Sequence, residues 1–102
     1  MICVVAAIET VPERHEEFLR LLKGLVPKVL AEEGCVEYAP MVDLPTSIEA
    51  QPAARPGVVT VVEKWASLDA LESHLIAPHM IEFRKASEPM RAGVTLQVLQ
   101  PA

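Results

Sequence analysis

Two short segments constrain the fold of this chain more than any other feature: ICVVAAIET at positions 2–10 and VVTVVEKWA at positions 58–66. Each is rich in Val or Ile and apolar at consecutive positions, the pattern of a strand covered on both faces. Between them the period changes. From Glu13 the apolar residues fall at Phe18, Leu22, Leu25 and Val29, with Leu21 and Val26 beside them, which is helical spacing. Pro12 sits where helices begin. Gly24 and Pro27 predict a kink or two shorter helices, and Gly34 a C-cap. CVEYAPMVDL reads as a second strand, irregular near Pro40, and the Pro-rich, aperiodic 44–57 as a loop. In the third strand Val59, Val61, Glu63 and Trp65 share one face. Ser67 is placed to cap a helix over LDALESHL, and Pro78 to begin another. Gly93 is expected to end a turn before a last alternating strand, VTLQVLQ.

The order strand, helix, strand, strand, helix, strand predicts one α+β domain over 1–102. It is a split βαββαβ arrangement, with a four-stranded antiparallel sheet and its helices on one face. The other face then has no cover of its own, although the first and third strands are apolar on both sides. A second copy of the chain is the simplest cover, so a homodimer packed through the sheet is expected. The hydrophobic fraction of 51%, high for 102 residues, points the same way.

Composition excludes several functions. A net charge of −5 with 4% aromatic residues offers neither phosphate-binding charge nor stacking surface for nucleic acid. The apolar start stops at Glu9, short of the ~20 residues of a membrane span, and no basic leader or cleavage site follows, so a cytoplasmic location without membrane association is expected. Cys3 and Cys35 read as small buried hydrophobes rather than a disulfide. Dinucleotide, P-loop and nucleophile-elbow motifs are absent, as are HExxH and paired-Cys zinc spacings, so neither a cofactor nor a metal is expected.

The chemically interesting side chains gather in EKWASLDALESHLIAPHM, positions 63–80. His74 and His79 are five apart, about 140° around an unbroken helix. If Glu63 and Trp65 face the helices, His74 passes over them, and the three could line one apolar pocket. Tyr38 is a candidate hydrogen-bond donor at its mouth, with a half-buried aromatic as the plainer reading. His79, just past Pro78 at a helix start where the dipole disfavours its protonated form, is the second candidate base. Arg84 is a solvated charge or a partner for a bound anion. His15 is expected at the surface.

These residues resemble the antibiotic biosynthesis monooxygenase domain. Gly34, Cys35 and Tyr38 match its Gly-Cys-x-x-Tyr on the second strand, Glu63 and Trp65 its Glu-x-Trp, Leu71 and His74 its short Ala-Leu helix, and Pro78 and His79 its Pro-His. The resemblance spans nearly the whole chain. It implies a ferredoxin-like dimeric α+β barrel. It also implies, among several activities, oxidation of a small aromatic quinol or polyketide-like phenol by dioxygen without cofactor. His74, Trp65 and Tyr38 would be catalytic, with Glu63, His79 and Arg84 at the substrate. His74 would take the phenolic proton, and the Trp65 N–H and Tyr38 O–H would hold the oxyanion. Haem-degrading relatives use an Asn on the first strand, which is absent here. A related isomerase, or a dimeric binding module that keeps the pocket without the chemistry, stays open. The loop 44–57 looks longer than the family's usual hairpin.

Overall fold

A computed structural model describes residues 1–102. Strand β1 (Ile2–Thr10) leads through a 3₁₀ turn to helix α1 (His15–Leu30), then to β2 (Cys35–Met41) and β3 (Val58–Trp65). Helices α2 (Leu68–Leu75) and α3 (Pro78–Ser87) and a second 3₁₀ turn precede β4 (Arg91–Leu99). The sheet is antiparallel in the order β2-β3-β1-β4, the ferredoxin-like α+β arrangement the element order predicts. No helix is long and apolar enough to cross a membrane.

Register assigns every strand residue to a face. Val4, Ala6 and Ile8 lie opposite Glu63, Val61 and Val59, and this face is buried under the helices. Phe18, Leu22, Leu25 and Val29 of α1 are the residues that meet it. Phe83 of α3 tilts against Phe18, ring centroids 5.9 Å apart. On the same face of the edge strand β4, Val94, Leu96 and Val98 stay about half exposed. The helix-free face is apolar in its middle, with Val5, Ala7, Ala39 and Val62 across three strands. Lys64 and Glu37 pair across it at 3.3 Å.

Four local expectations are corrected. Helix α1 runs unbroken through Gly24 and Pro27. Pro27 removes one hydrogen bond to the preceding turn, yet the buried stripe continues across it to Val29 and holds the helix together. The residue capping α1 is Ala31, not Gly34. Gly93 lies inside β4 rather than in a turn before it. His15 is half-buried: Thr10 Oγ1 donates to the Gly57 carbonyl at 2.8 Å and accepts from His15 Nδ1 at 2.9 Å. Two other expectations hold: Ser67 Oγ accepts from Ala70 N–H at 3.1 Å, and Pro78 occupies the first turn of α3.

The loop between β2 and β3 is stapled rather than loose. Arg55 grips Asp43 through two guanidinium bonds of 2.8 and 2.9 Å, and its backbone N–H adds a third at 2.9 Å. This ring of donors pulls the Asp43 carboxyl down to about 2.

Gly34 has φ +83°, in the left-handed region, and a Cβ there would stand 2.6 Å from the Cβ of Ala70. Its carbonyl accepts from Ala66 N–H at 2.8 Å. Gly34→Ala therefore combines backbone strain with a clash into α2. It should cost on the order of 1–3 kcal/mol, read as a fall in Tm by thermal denaturation; Gly24→Ala, which meets nothing within 4 Å, is the control that should not fall.

Candidate active site

The residues expected to converge do so. Tyr38 and Glu63 are paired across β2 and β3, and Trp65 follows two positions along on the same face. Helix α2 lowers His74 onto them from above. Its ring lies on Trp65 with centroids 4.6 Å apart and meets Tyr38 edge-on at 5.7 Å. All four side chains are buried, His74 to 2% exposure. The open pocket expected between them is not there: the group is close-packed, with ring against ring. Two clefts lie outside it. One, of about 500 Å³, borders Glu32, Gly34 and the first turns of α2. The other, of about 320 Å³, separates α1 from α3 and includes His79.

Two expected roles change with the geometry. The Trp65 indole N–H, expected to face an oxyanion, donates to Glu63 Oε1 at 2.9 Å. Arg84, read as a solvated charge or a partner for a bound anion, donates to the Leu75 carbonyl at 2.5 Å and so satisfies the C-terminal end of α2. His79 is not stacked in the cluster. It joins through Glu32, a residue the sequence reading passed over. Glu32 Oε2 lies 2.9 Å from His74 Nδ1 and 2.7 Å from His79 Nε2. Nothing local marks Glu32, since it sits in the turn after α1 and its partners are 42 and 47 positions away. No group of three or more His, Cys, Asp or Glu side chains is arranged to hold a metal ion. The three groups here point at one another rather than at a common centre.

Three polar atoms of the cluster have no partner within the chain: the Tyr38 hydroxyl, Glu63 Oε2 and His74 Nε2. Thr60 Oγ1 is the one fully sealed side-chain N or O in that condition, so these three retain solvent contact. The site thus offers one donor and two acceptors, unspent, among apolar walls.

Burial sets their charge states. It pushes the Tyr38 phenol well above its ordinary range, reinforced by Glu63, Glu32 and Cys35, so the hydroxyl keeps its proton. Burial also raises the Glu63 carboxyl, against the pull of the Trp65 N–H. It lowers His74, outweighing the opposing hydrogen bond and charge of Glu32, which leaves a neutral imidazole at neutral pH. Burial likewise raises the Cys35 thiol.

The pattern for antibiotic biosynthesis monooxygenases matches residues 1–86, and the chain belongs to that family. It is 38% identical over 103 residues to the probable quinol monooxygenase YgiN of Escherichia coli K12, covering 99% of this chain and 98% of that one. A conserved protein of Methanosarcina mazei superposes with a TM-score of 0.85 at 25% identity, over 99% of this chain and 92% of the other. PA3566 of Pseudomonas aeruginosa gives 0.81 at 25% identity, over 99% and 93%.

Because the folded-state value of Glu63 is raised, the fold loses stability as pH climbs from the ordinary carboxyl range through that raised value. Glu63→Gln keeps an acceptor for Trp65 and removes the loss. Thermal melts should show the variant with a higher Tm than the parent at pH 8, and the difference closing toward pH 4.

Proposed function

We propose that this protein is a monooxygenase that oxidises a small aromatic quinol or polyketide-like phenol with dioxygen, using no bound metal or flavin. The observation that carries the reading is the buried neutral imidazole with a free Nε2 beside an unpartnered Tyr38 hydroxyl and an apolar aromatic wall. Family membership supports the reaction class, and the name of YgiN supports a quinol substrate.

The chemistry needs little from the protein. His74 Nε2 takes the substrate's acidic proton, leaving an electron-rich anion. The anion passes one electron to dioxygen, and the two radicals join as a carbon–oxygen bond. The imidazolium returns its proton to the resulting peroxide. Loss of water, with the hydrogen of the reacting ring carbon, leaves a carbonyl, so that HO–C=C–H and O₂ become O=C–C=O and H₂O. Tyr38 O–H supplies the hydrogen bond to the developing oxyanion. Trp65 holds the plane of the imidazole rather than the oxyanion, and Glu63 holds Trp65. In metal-free buffer, oxygen uptake against a panel of quinols and anthrones should identify a substrate. On that substrate His74→Ala should lower turnover by roughly 10²–10⁴-fold and Tyr38→Phe by about 10²-fold, with the fold intact by circular dichroism. Full activity in both variants would overturn the assignment.

The helix-free sheet face supports a second proposal, that another copy of the chain covers it. Val5, Met41 and Leu99 are each more than a third exposed there, around the apolar middle described above. A dimer through this face should bury ~1,600 Å² or more. Val4 and Val5 separate assembly from folding, since Val4 is wholly buried under the helices and Val5 points the other way. Sedimentation should find the parent as a dimer and Val5→Asp as a folded monomer, whereas Val4→Asp should fail to fold. A stable parent monomer at micromolar concentration would remove the proposal.

A further inference from the structure

Glu32 offers a single oxygen to two histidines. Oε2 lies within hydrogen-bond distance of both His74 Nδ1 and His79 Nε2, at 2.9 and 2.7 Å. The turn that carries it is fixed on both sides: Glu32 N–H donates to the Val29 carbonyl at 2.9 Å, and the Glu32 carbonyl accepts from Cys35 N–H at 3.2 Å. An ionised carboxylate carries no proton, so each imidazole nitrogen that meets it must donate. For a neutral His74 this leaves one tautomer. Nδ1 carries the hydrogen, and the free lone pair stands on Nε2, across the ring from Glu32.

We propose that Glu32 is the positioning residue of His74, fixing Nε2 as the atom presented to substrate, and that His79 regulates it by sharing the same carboxylate oxygen. The proposal rests on the reading of His74 as the base. It adds what makes that base work and what turns it down.

The three groups differ in their access to water. The side chain of His74 is 2% exposed, that of Glu32 13% and that of His79 23%. His79 also borders the cleft between α1 and α3, with Arg20, Lys28 and Glu82 around it. It is therefore the member that exchanges protons with solvent. Around His74 stand Tyr38 from β2, Glu63 from β3 beyond Trp65, and His79 and Arg84 from α3. Apart from Glu63, which lies behind the Trp65 N–H, Glu32 is the carboxylate that faces this ring. When His79 is neutral, the charge of Glu32 supports an imidazolium at His74. When His79 is protonated, it neutralises that charge and adds a positive one nearby, and a proton on His74 becomes harder to hold. The effect is reciprocal: a proton on either histidine disfavours a proton on the other.

The test needs no substrate for its first arm. Imidazole ¹⁵N NMR on the labelled full chain at pH 8 should show His74 with a protonated Nδ1 and an unprotonated Nε2. Glu32→Gln should scramble that pattern and lower the His74 midpoint. His79→Asn keeps a donor to Glu32 but cannot titrate, and should let His74 titrate in one simple step at a higher pH than in the parent. Should Glu32→Gln fold poorly, Glu32→Asp and His79→Asn give the same reading. A parent His74 protonated on Nε2, or a His74 titration unmoved by either the Glu32 or the His79 change, overturns the proposal. The second arm uses any substrate the parent oxidises. There Glu32→Gln should lower kcat by about 10²-fold with KM little changed, and the acid limb of kcat/KM should follow the NMR midpoint. A correct NMR pattern together with full activity in His74→Ala would sink the enzymatic reading while leaving the hold of Glu32 on His74 in place.

Discussion

The close approach of Gly34 to Ala70 underlies the whole buried cluster. With no Cβ at Gly34, the first turn of α2 can rest directly on the turn that joins α1 to β2. The Gly34 carbonyl then takes Ala66 N–H, which pins the end of β3 to the same place. Two connections far apart in the chain are thereby clamped together. One carries Glu32 and the other launches the helix that carries His74. A hydrogen bond of 2.9 Å between them is a consequence of that clamp. Without it, a carboxylate in an exposed turn and a histidine at a helix end would each find water.

The clamp also explains the electrostatic character of the site. Once α2 is seated, Tyr38, Glu63 and His74 lose most of their hydration, and burial drives each toward its uncharged form. Only some of that cost is met by partners: Trp65 N–H for Glu63, and Glu32 for His74. The remainder leaves a hydroxyl, a carboxyl oxygen and an imidazole nitrogen under tension, each better satisfied by a ligand that brings complementary groups and an apolar body. A phenolic compound has both.

The sequence carried the fold well because the fold rests on periodicity. Alternation put Val59, Val61, Glu63 and Trp65 on one face, and helical spacing picked out Phe18, Leu22, Leu25 and Val29; both sets are buried as a unit. The Ser67 cap and the Pro78 start are local chemistry and were equally legible. Pro27 breaks the local pattern without breaking the helix, because a lost hydrogen bond is a local cost, whereas the stripe that outweighs it is tertiary. The meeting of His74 with Glu63 and Trp65 followed from helix order once those two faced the helices; the place of Tyr38 under His74 needed the register of β2 on β3. Glu32 did not, since a glutamate in a turn looks like solvent-facing charge until its distant partners arrive. The Trp65–Glu63 bond was within reach of the sequence, for residues two apart on a strand are neighbours on one face, and a buried indole N–H takes the nearest acceptor.

Strand β1 lies in the middle of the sheet, yet its partners on both sides, β3 and β4, come from the second half of the chain. During synthesis the N-terminal strand must wait as an unpaired, highly apolar ribbon while the rest of the polypeptide is made. The β2–β3 hairpin can form first, its long loop gathered by Arg55 on Asp43. The sheet closes only when β1 finds β3 and β4 seals its other edge, a step that bears the closure entropy of a long loop. Closure of the sheet is thus a late step in the folding of this domain, and the ICVVAAIET ribbon is the segment most in need of shelter until then.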